Sequence, residues 1–235
     1  MMDVTNIDNN SSGNVDGPSD NPILKKQKRG IWITIVSILV VVSMFMGMFL
    51  HKITSPRVMS AEELRINGAI VFESPRIIKE FSLVDHNNQE FNLANIQGRW
   101  SLVFFGFTHC PDICPTTLAK LAQVVKQLDT DIAKQTQILM VSVDPARDTP
   151  EKLAEYVTYF NPDFTGVTGE FLDIMSLTRN VNVAFQKVVL DEDYTIDHTG
   201  NLILINPKGH YHGFFKPPFE LAKLKTTFQS IVTQF

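Results

Sequence analysis

The chain has 235 residues, 44% of them hydrophobic and 20% charged, with a formal net charge of -4 at pH 7. That length holds one ordinary domain plus accessory segments. The balance of charge excludes nucleic acid as a partner, because such binding needs a basic electrostatic footprint on the folded domain.

Residues 1–22 are rich in Asn, Ser, Asp and Gly and have no apolar periodicity, so they are predicted to be disordered. Lys25, Lys26, Lys28 and Arg29 form a tight basic cluster that closes a cytoplasmic N-terminal segment over 1–30. Residues 31–50 then read IWITIVSILVVVSMFMGMFL, without a single charge. A helix of that length, at ~1.5 Å per residue, matches a hydrocarbon core of ~30 Å. The span is therefore predicted to be a transmembrane helix. The cations before it place the N-terminus in the cytoplasm and residues 51–235 outside the cytoplasmic (inner) membrane, in the periplasm. A cleaved signal peptide fits less well, since its apolar core is only about 7–15 residues long.

Residues 51–76 read as a linker, and a folded domain is expected over 77–235. His86-Asn87-Asn88, flanked by short apolar stretches, signals a hairpin. The continuous apolar run 100–107, WSLVFFGF, suits a central strand buried on both faces. Leu118, Leu121, Val124, Val125 and Leu128 fall at helical spacing over 115–128. A second buried strand is expected over 138–143. Thr149-Pro150-Glu151 opens a helix to about Phe160, with Pro150 at the favoured first position. A short strand at 164–167, a helix at 170–179, strands at 185–190 and 202–205, a turn at Pro207-Lys208-Gly209, a strand at 211–215 and an amphipathic tail at 218–235 complete the series. Alternation of this kind argues for a layered α/β domain with mixed strand directions. A strand leading to cysteines at a helix start, with a closing ββα unit, is the thioredoxin-like layout, here with an extra N-terminal hairpin and an insertion.

The chain has two cysteines, Cys110 and Cys114. A disulfide between them closes too small a loop to staple a domain, and a domain of this size needs no staple. Their position at the carboxyl end of a buried strand is where ligands sit in open α/β sheets. The following helix N-terminus, with Pro115 in its first turn, favours thiolate over thiol. The C-x-x-x-C spacing allows redox cycling or convergence on one metal ion. Two thiolates select copper(I), zinc or an iron–sulfur cluster. A cluster usually takes four cysteines and structural zinc four protein ligands. Two sulfurs and one imidazole suit copper(I) and also accept copper(II). Six histidines are available for the nitrogen. His51 is beside the membrane, His86 is in a predicted turn and His109 diverges from its neighbour Cys110. His210 and His212 form an H-x-H pair expected on exposed surface. His198 lies in the loop expected to pack over the cysteines. Asp144 ends a central strand near the same rim. Arg147 and Asp148 are expected to cap the next helix and to pair with each other.

The stretch Gly106-Phe107-Thr108-His109-Cys110-Pro111-Asp112-Ile113-Cys114-Pro115-Thr116 resembles the cysteine motif of the Sco/SenC family of copper-handling proteins of cytochrome c oxidase assembly. Val143-Asp144-Pro145-Ala146-Arg147-Asp148-Thr149-Pro150 is similar to that family's second signature, and Asp197-His198-Thr199 to its histidine segment. The resemblance covers roughly residues 77–232. It implies a thioredoxin-like fold and copper bound by Cys110, Cys114 and His198. It also implies, as recipient, the binuclear copper site of an oxidase subunit, with thioredoxin-like reductants or other copper chaperones as further partners. The stretch 196–200 lacks the proline with which thioredoxins face their cysteines, which favours a metallochaperone. The other readings are a thiol–disulfide oxidoreductase, with Cys110 and Cys114 as the redox pair, and a copper or redox sensor.

Overall fold

The structure, a computed structural model, describes residues 22–54, 58–191 and 193–235. The disorder expected for 1–22 falls outside the described residues except at Pro22. The chain divides into two units, Met1–Ser55 and Pro56–Phe235. The first contains α1 (Pro22–Thr54), within which Gly30–Leu50 is long and apolar enough to cross a membrane. Its apolar side chains are exposed, including Trp32, Phe45 and Phe49, as expected where lipid replaces a protein core.

The second unit follows the order α2 (Ala61–Ile66), β1 (Ala69–Ile77), β2 (Ser82–Asp85), β3 (Glu90–Asn92), β4 (Trp100–Gly106), α3 (Ile113–Gln127), α4 (Thr130–Lys134), β5 (Thr136–Ser142), α5 (Pro150–Phe160), β6 (Thr165–Thr168), α6 (Phe171–Asn180), β7 (Phe185–Val189), β8 (Tyr194–His198), β9 (Leu202–Ile205), β10 (His210–Phe215) and α7 (Leu221–Gln234). Eight strands form one sheet in the order β1-β10-β9-β4-β5-β6-β2-β3, and β7 and β8 form a separate hairpin. At the centre, β4 runs parallel to β5 and antiparallel to β9.

Side chains alternate faces along a strand, and here both faces are covered. Leu102, Phe104, Met140, Leu202 and Leu204 join the cluster containing Leu118 and Leu121 of α3, Leu153 and Val157 of α5, and Phe228 of α7. Val103, Phe105, Leu139, Val141, Ile203 and Ile205 join the opposite cluster with Ile174 and Leu177 of α6. The central strands are therefore buried on both faces and mostly apolar, with Ser101, Gln137 and Ser142 as buried polar exceptions. The expected hairpin is β2–β3: Asp85 accepts from the N–H groups of Asn87 and Gln89, and Asn88 takes the left-handed conformation at φ 59°.

Three expectations need correction. The domain starts earlier than 77. In the stretch read as linker, Ser60 and Glu63 cap α2 reciprocally, and β1 pairs antiparallel with β10. An edge strand with few buried positions carries too little alternation to announce itself. Residues 196–198 are not loop but the end of β8, paired to β7. Arg147 and Asp148 do not pair; Thr149 accepts from Lys152 N–H to cap α5, and the other two side chains point elsewhere. The short helix α4 was not anticipated.

Candidate metal centre

β4 is buried from Trp100 to Gly106 and delivers the chain to a loop that ends at the start of α3. Cys110 lies in that loop, part-buried, and Cys114 in the first turn of α3, fully buried. The Cys110 N–H donates to the Phe107 carbonyl at 3.3 Å. The Cys114 thiol donates a hydrogen bond to the Cys110 sulfur, which holds Cys110 well below its ordinary 9.0. Burial works against that shift, while His198 and backbone groups of Cys114 and Asp112 add to it. The same sulfur–sulfur hydrogen bond, then burial, pushes Cys114 up. Cys110 is thus the more acidic of the two sulfurs and Cys114 the less acidic.

β8 brings His198 onto this pair. Its Nε2 lies 3.9 Å from the Cys114 sulfur. Bond lengths of ~2.3 Å to sulfur and ~2.0 Å to nitrogen, opened to a trigonal angle, separate two donors on one ion by ~3.7 Å. His198 Nδ1 is 3.3 Å from the Thr199 carbonyl. The tautomer that donates there leaves the Nε2 lone pair facing sulfur, the arrangement that metal-binding histidines use. The rings of Phe104 and Phe107 meet the imidazole edge-on, at centroid distances of 6.0 and 6.1 Å. Among the described residues no three His, Cys, Asp or Glu side chains are gathered closely enough to cage an ion. An ion has to draw the last donor in. Cys110, Cys114 and His198 would offer two soft sulfurs and an imidazole, a set that suits copper(I).

Two buried arrangements support this trio, and the sequence reading missed both. The Asp148 carboxylate, fully buried, accepts from Thr108 N–H at 3.0 Å, Thr108 Oγ1 at 2.6 Å and Ser142 Oγ at 2.6 Å. It ties the cysteine loop to the end of β5. Asp144 accepts from Arg147 Nε and from the Tyr194 hydroxyl, while Arg147 Nη1 donates to the Tyr194 carbonyl at 3.1 Å and its guanidinium stacks on the Tyr194 ring. That cluster ties the β7–β8 hairpin, and so His198, to the same rim; Asp144 lies there as expected. Gly106 is a further requirement. A Cβ there would lie 2.7 Å from Phe104 Cε1 and 3.0 Å from the Cys114 sulfur. A glycine ending an apolar strand just before cysteines was the available signal.

The other histidines are elsewhere. His86 Nδ1 accepts from Gly166 N–H. His109 is 44% exposed, with Nδ1 near Thr108 Oγ1 and Asp148. His212 is not plain surface: it packs edge-on against Trp100 and Phe235. His51 is among the residues whose side chains are not described.

Residues 72–233 match the sequence model of the SCO1/SenC family. A protein of Stutzerimonas stutzeri is 38% identical over 70% of this chain and 81% of its own length. Mitochondrial SCO2 of Saccharomyces cerevisiae is 36% identical over 64% of this chain, which spans only 50% of that relative. Among solved structures, copper-bound ScoI of Arabidopsis thaliana aligns with a TM-score of 0.64 at 32% identity, covering 68% of this chain and 99% of the other. Copper-bound Sco1 of yeast aligns with a TM-score of 0.59 at 33% identity, covering 68% and 88%.

Proposed function

The chain belongs to the SCO1/SenC family, and on that premise we propose that it is a membrane-anchored copper chaperone whose cargo is held by Cys110, Cys114 and His198. The single observation that carries this reading is the 3.9 Å approach of His198 Nε2 to the Cys114 sulfur. The copper-bound relatives support the identity of the ion. Copper(I) suits the two thiolates, and the imidazole lets the same site accept copper(II). The recipient is the copper-receiving subunit of cytochrome c oxidase, at its binuclear copper site. Residues 31–50 anchor the chain in the cytoplasmic membrane, and the preceding cations orient the folded domain to the periplasm.

Copper(I) titration of the reduced chain tests the reading. One ion per chain is expected, with X-ray absorption reporting two sulfur neighbours and one nitrogen. His198→Ala should lower affinity by more than the roughly 10–100-fold of an outer-shell change, and Cys110→Ala or Cys114→Ala should abolish tight binding. Spectra with only oxygen and nitrogen neighbours would reject the site. For orientation, a reporter active only in the periplasm should work when fused after Phe235; activity of a cytoplasm-only reporter there would reject it.

A second reading has its own support. Cys110, its pKa held down, beside Cys114, its pKa held up, would serve as the attacking and resolving pair of a thiol–disulfide oxidoreductase. Such an enzyme would reduce the recipient's cysteines before metal delivery. His198→Ala separates the two, because thiol exchange needs only the sulfurs. Loss of copper with full oxidase assembly would favour the reductase.

A further inference from the structure

We propose that the open edge of β7 takes up an extended segment of a partner protein as a third, antiparallel strand, with one large apolar side chain of that segment entering the cavity between the β7–β8 hairpin and α6. The inference stands on backbone geometry and goes beyond the copper reading. β7 and β8 pair with each other and with no other strand. Leu190 N–H donates to the Asp193 carbonyl at 2.8 Å, and Thr199 N–H to the Ala184 carbonyl at 2.9 Å. Hydrogen-bonded pairs alternate along an antiparallel ladder. Gln186 and Val188 therefore turn their backbone groups toward β8, and Phe185, Lys187 and Val189 turn theirs away. Among the described residues nothing hydrogen-bonds to those outward groups. The outer edge of β8 is closed by contrast: the Tyr194 carbonyl accepts from Arg147 Nη1 at 3.1 Å, and Ile196 is buried. Free strand edges are commonly blunted by proline, by an edge lysine or by a covering segment. The lysine of β7, Lys187, holds its amine 3.5 Å from the centre of the Tyr194 ring, over the hairpin face and not across the edge.

Residues directly opposite in a ladder share a face, so Phe185 and Lys187 lie on the face of His198 and Ile196. That face borders a cavity of about 540 Å³, whose other wall is Phe171, Met175 and Arg179 of α6. In an antiparallel addition, the residues bonded to Phe185 and Lys187 point their side chains to this same face, toward the cavity. Phe171, Met175 and Ile196 make the lining apolar. Arg179 and Lys187 have no carboxylate partner among the described residues, and Asp144, the acid on the wall, is held by Arg147. Asp191 and Asp193 lie beyond Val189, at the hairpin turn, so a partner's acidic residue belongs opposite Lys187. Main-chain bonds to a sheet edge, with a pocket for alternate side chains, are how extended peptides are recognised. The fitting segment carries an acidic residue and, two positions on, a large apolar one. Neighbouring strands lie ~4.8 Å apart, so the segment would run ~10 Å, two strand spacings, from the backbone of His198.

The test uses the full chain in detergent and needs no copper. The probe is a fluorescein-labelled peptide that alternates threonine with valine, glutamate and phenylalanine, in that order from its N-terminus. Antiparallel addition sets the glutamate opposite Lys187 and the phenylalanine opposite Phe185, at the cavity. Saturating peptide should slow amide exchange at Phe185, Lys187 and Val189, read by NMR, and leave Gln186 and Val188 unchanged. N-methylation of the peptide at glutamate and phenylalanine should weaken binding about 10-fold in fluorescence anisotropy, the loss of one or two hydrogen bonds. N-methylation at the threonines, whose N–H groups face solvent, should not. Val189→Pro removes one outward N–H and none that faces β8. It should weaken binding several-fold while exchange at Gln186 and Val188 stays slow. Met175→Trp fills the cavity and should weaken the phenylalanine peptide more than one with alanine in its place. No binding, protection confined to other residues, or a reversed N-methylation pattern would overturn the added antiparallel strand. Protection of the three amides in the free chain that grows with chain concentration would give the edge to a second copy and overturn it equally. Copper(I) affinity measured on the same samples decides the chaperone reading separately.

Discussion

The Asp148 carboxylate receives both the N–H and the hydroxyl of Thr108, at 3.0 and 2.6 Å, although forty residues separate them. Thr108 stands two residues before Cys110, so this contact sets where the part-buried Cys110 sulfur sits. Asp148→Asn keeps the volume but removes charge and one acceptor. It is expected to cost ~1–3 kcal/mol of stability, read as a lower thermal midpoint, and to weaken copper(I) binding in titration. Unchanged affinity with an unchanged midpoint would show that the loop holds itself.

Gly106→Ala puts a methyl group within 3.0 Å of the Cys114 sulfur and closer still to the Phe104 ring. Overpacking of this kind costs ~1–3 kcal/mol. Copper(I) affinity should fall, and X-ray absorption should show altered sulfur distances. Gly98→Ala is a control for stability alone. A Cβ there meets nothing within 4 Å, but its φ of 81° is strained for alanine, so it should destabilise the fold without moving the copper distances.

The hydrogen bond from Cys114 lowers the Cys110 pKa, so Cys110 carries its charge at pH values where a free thiol does not. Its alkylation by iodoacetamide should stay nearly flat as the pH falls from 9.0, the ordinary thiol value, to neutrality. The unfolded chain should slow about tenfold per pH unit below its thiol pKa. Cys114→Ala removes the donor, so the pKa of Cys110 rises and its alkylation at neutral pH becomes pH-dependent. Mass spectrometry should find Cys110 modified before the buried Cys114. Equal modification of both would refute the assignment of the thiolate.

Tyr194→Phe deletes the 2.8 Å bond to Asp144 and leaves the ring under Arg147. A loss of ~1 kcal/mol is expected, concentrated in the hairpin. Hydrogen exchange should quicken over 185–198 while β4, β5 and β9 stay protected. Because His198 rides on that hairpin, copper(II), which prefers nitrogen more than copper(I) does, should lose more affinity.

Much of this protein was readable along the chain. The charge-free run before the domain, the apolar strands β4, β5 and β9 and the amphipathic helices between them are local patterns, because strand and helix impose their periods on neighbouring residues. The cysteine spacing and its place at a helix start were equally plain. Tertiary structure decided the rest. β1 and β8 pair at edges, where partial exposure erases the alternation that marks a strand. Asp148 faces Thr108 rather than Arg147, and Gly106 yields to the Cys114 sulfur, because distant segments meet there. Residue types near one another in sequence state which donors are available; which of them share a site depends on contacts across many residues, and those exist only once the sheet has closed.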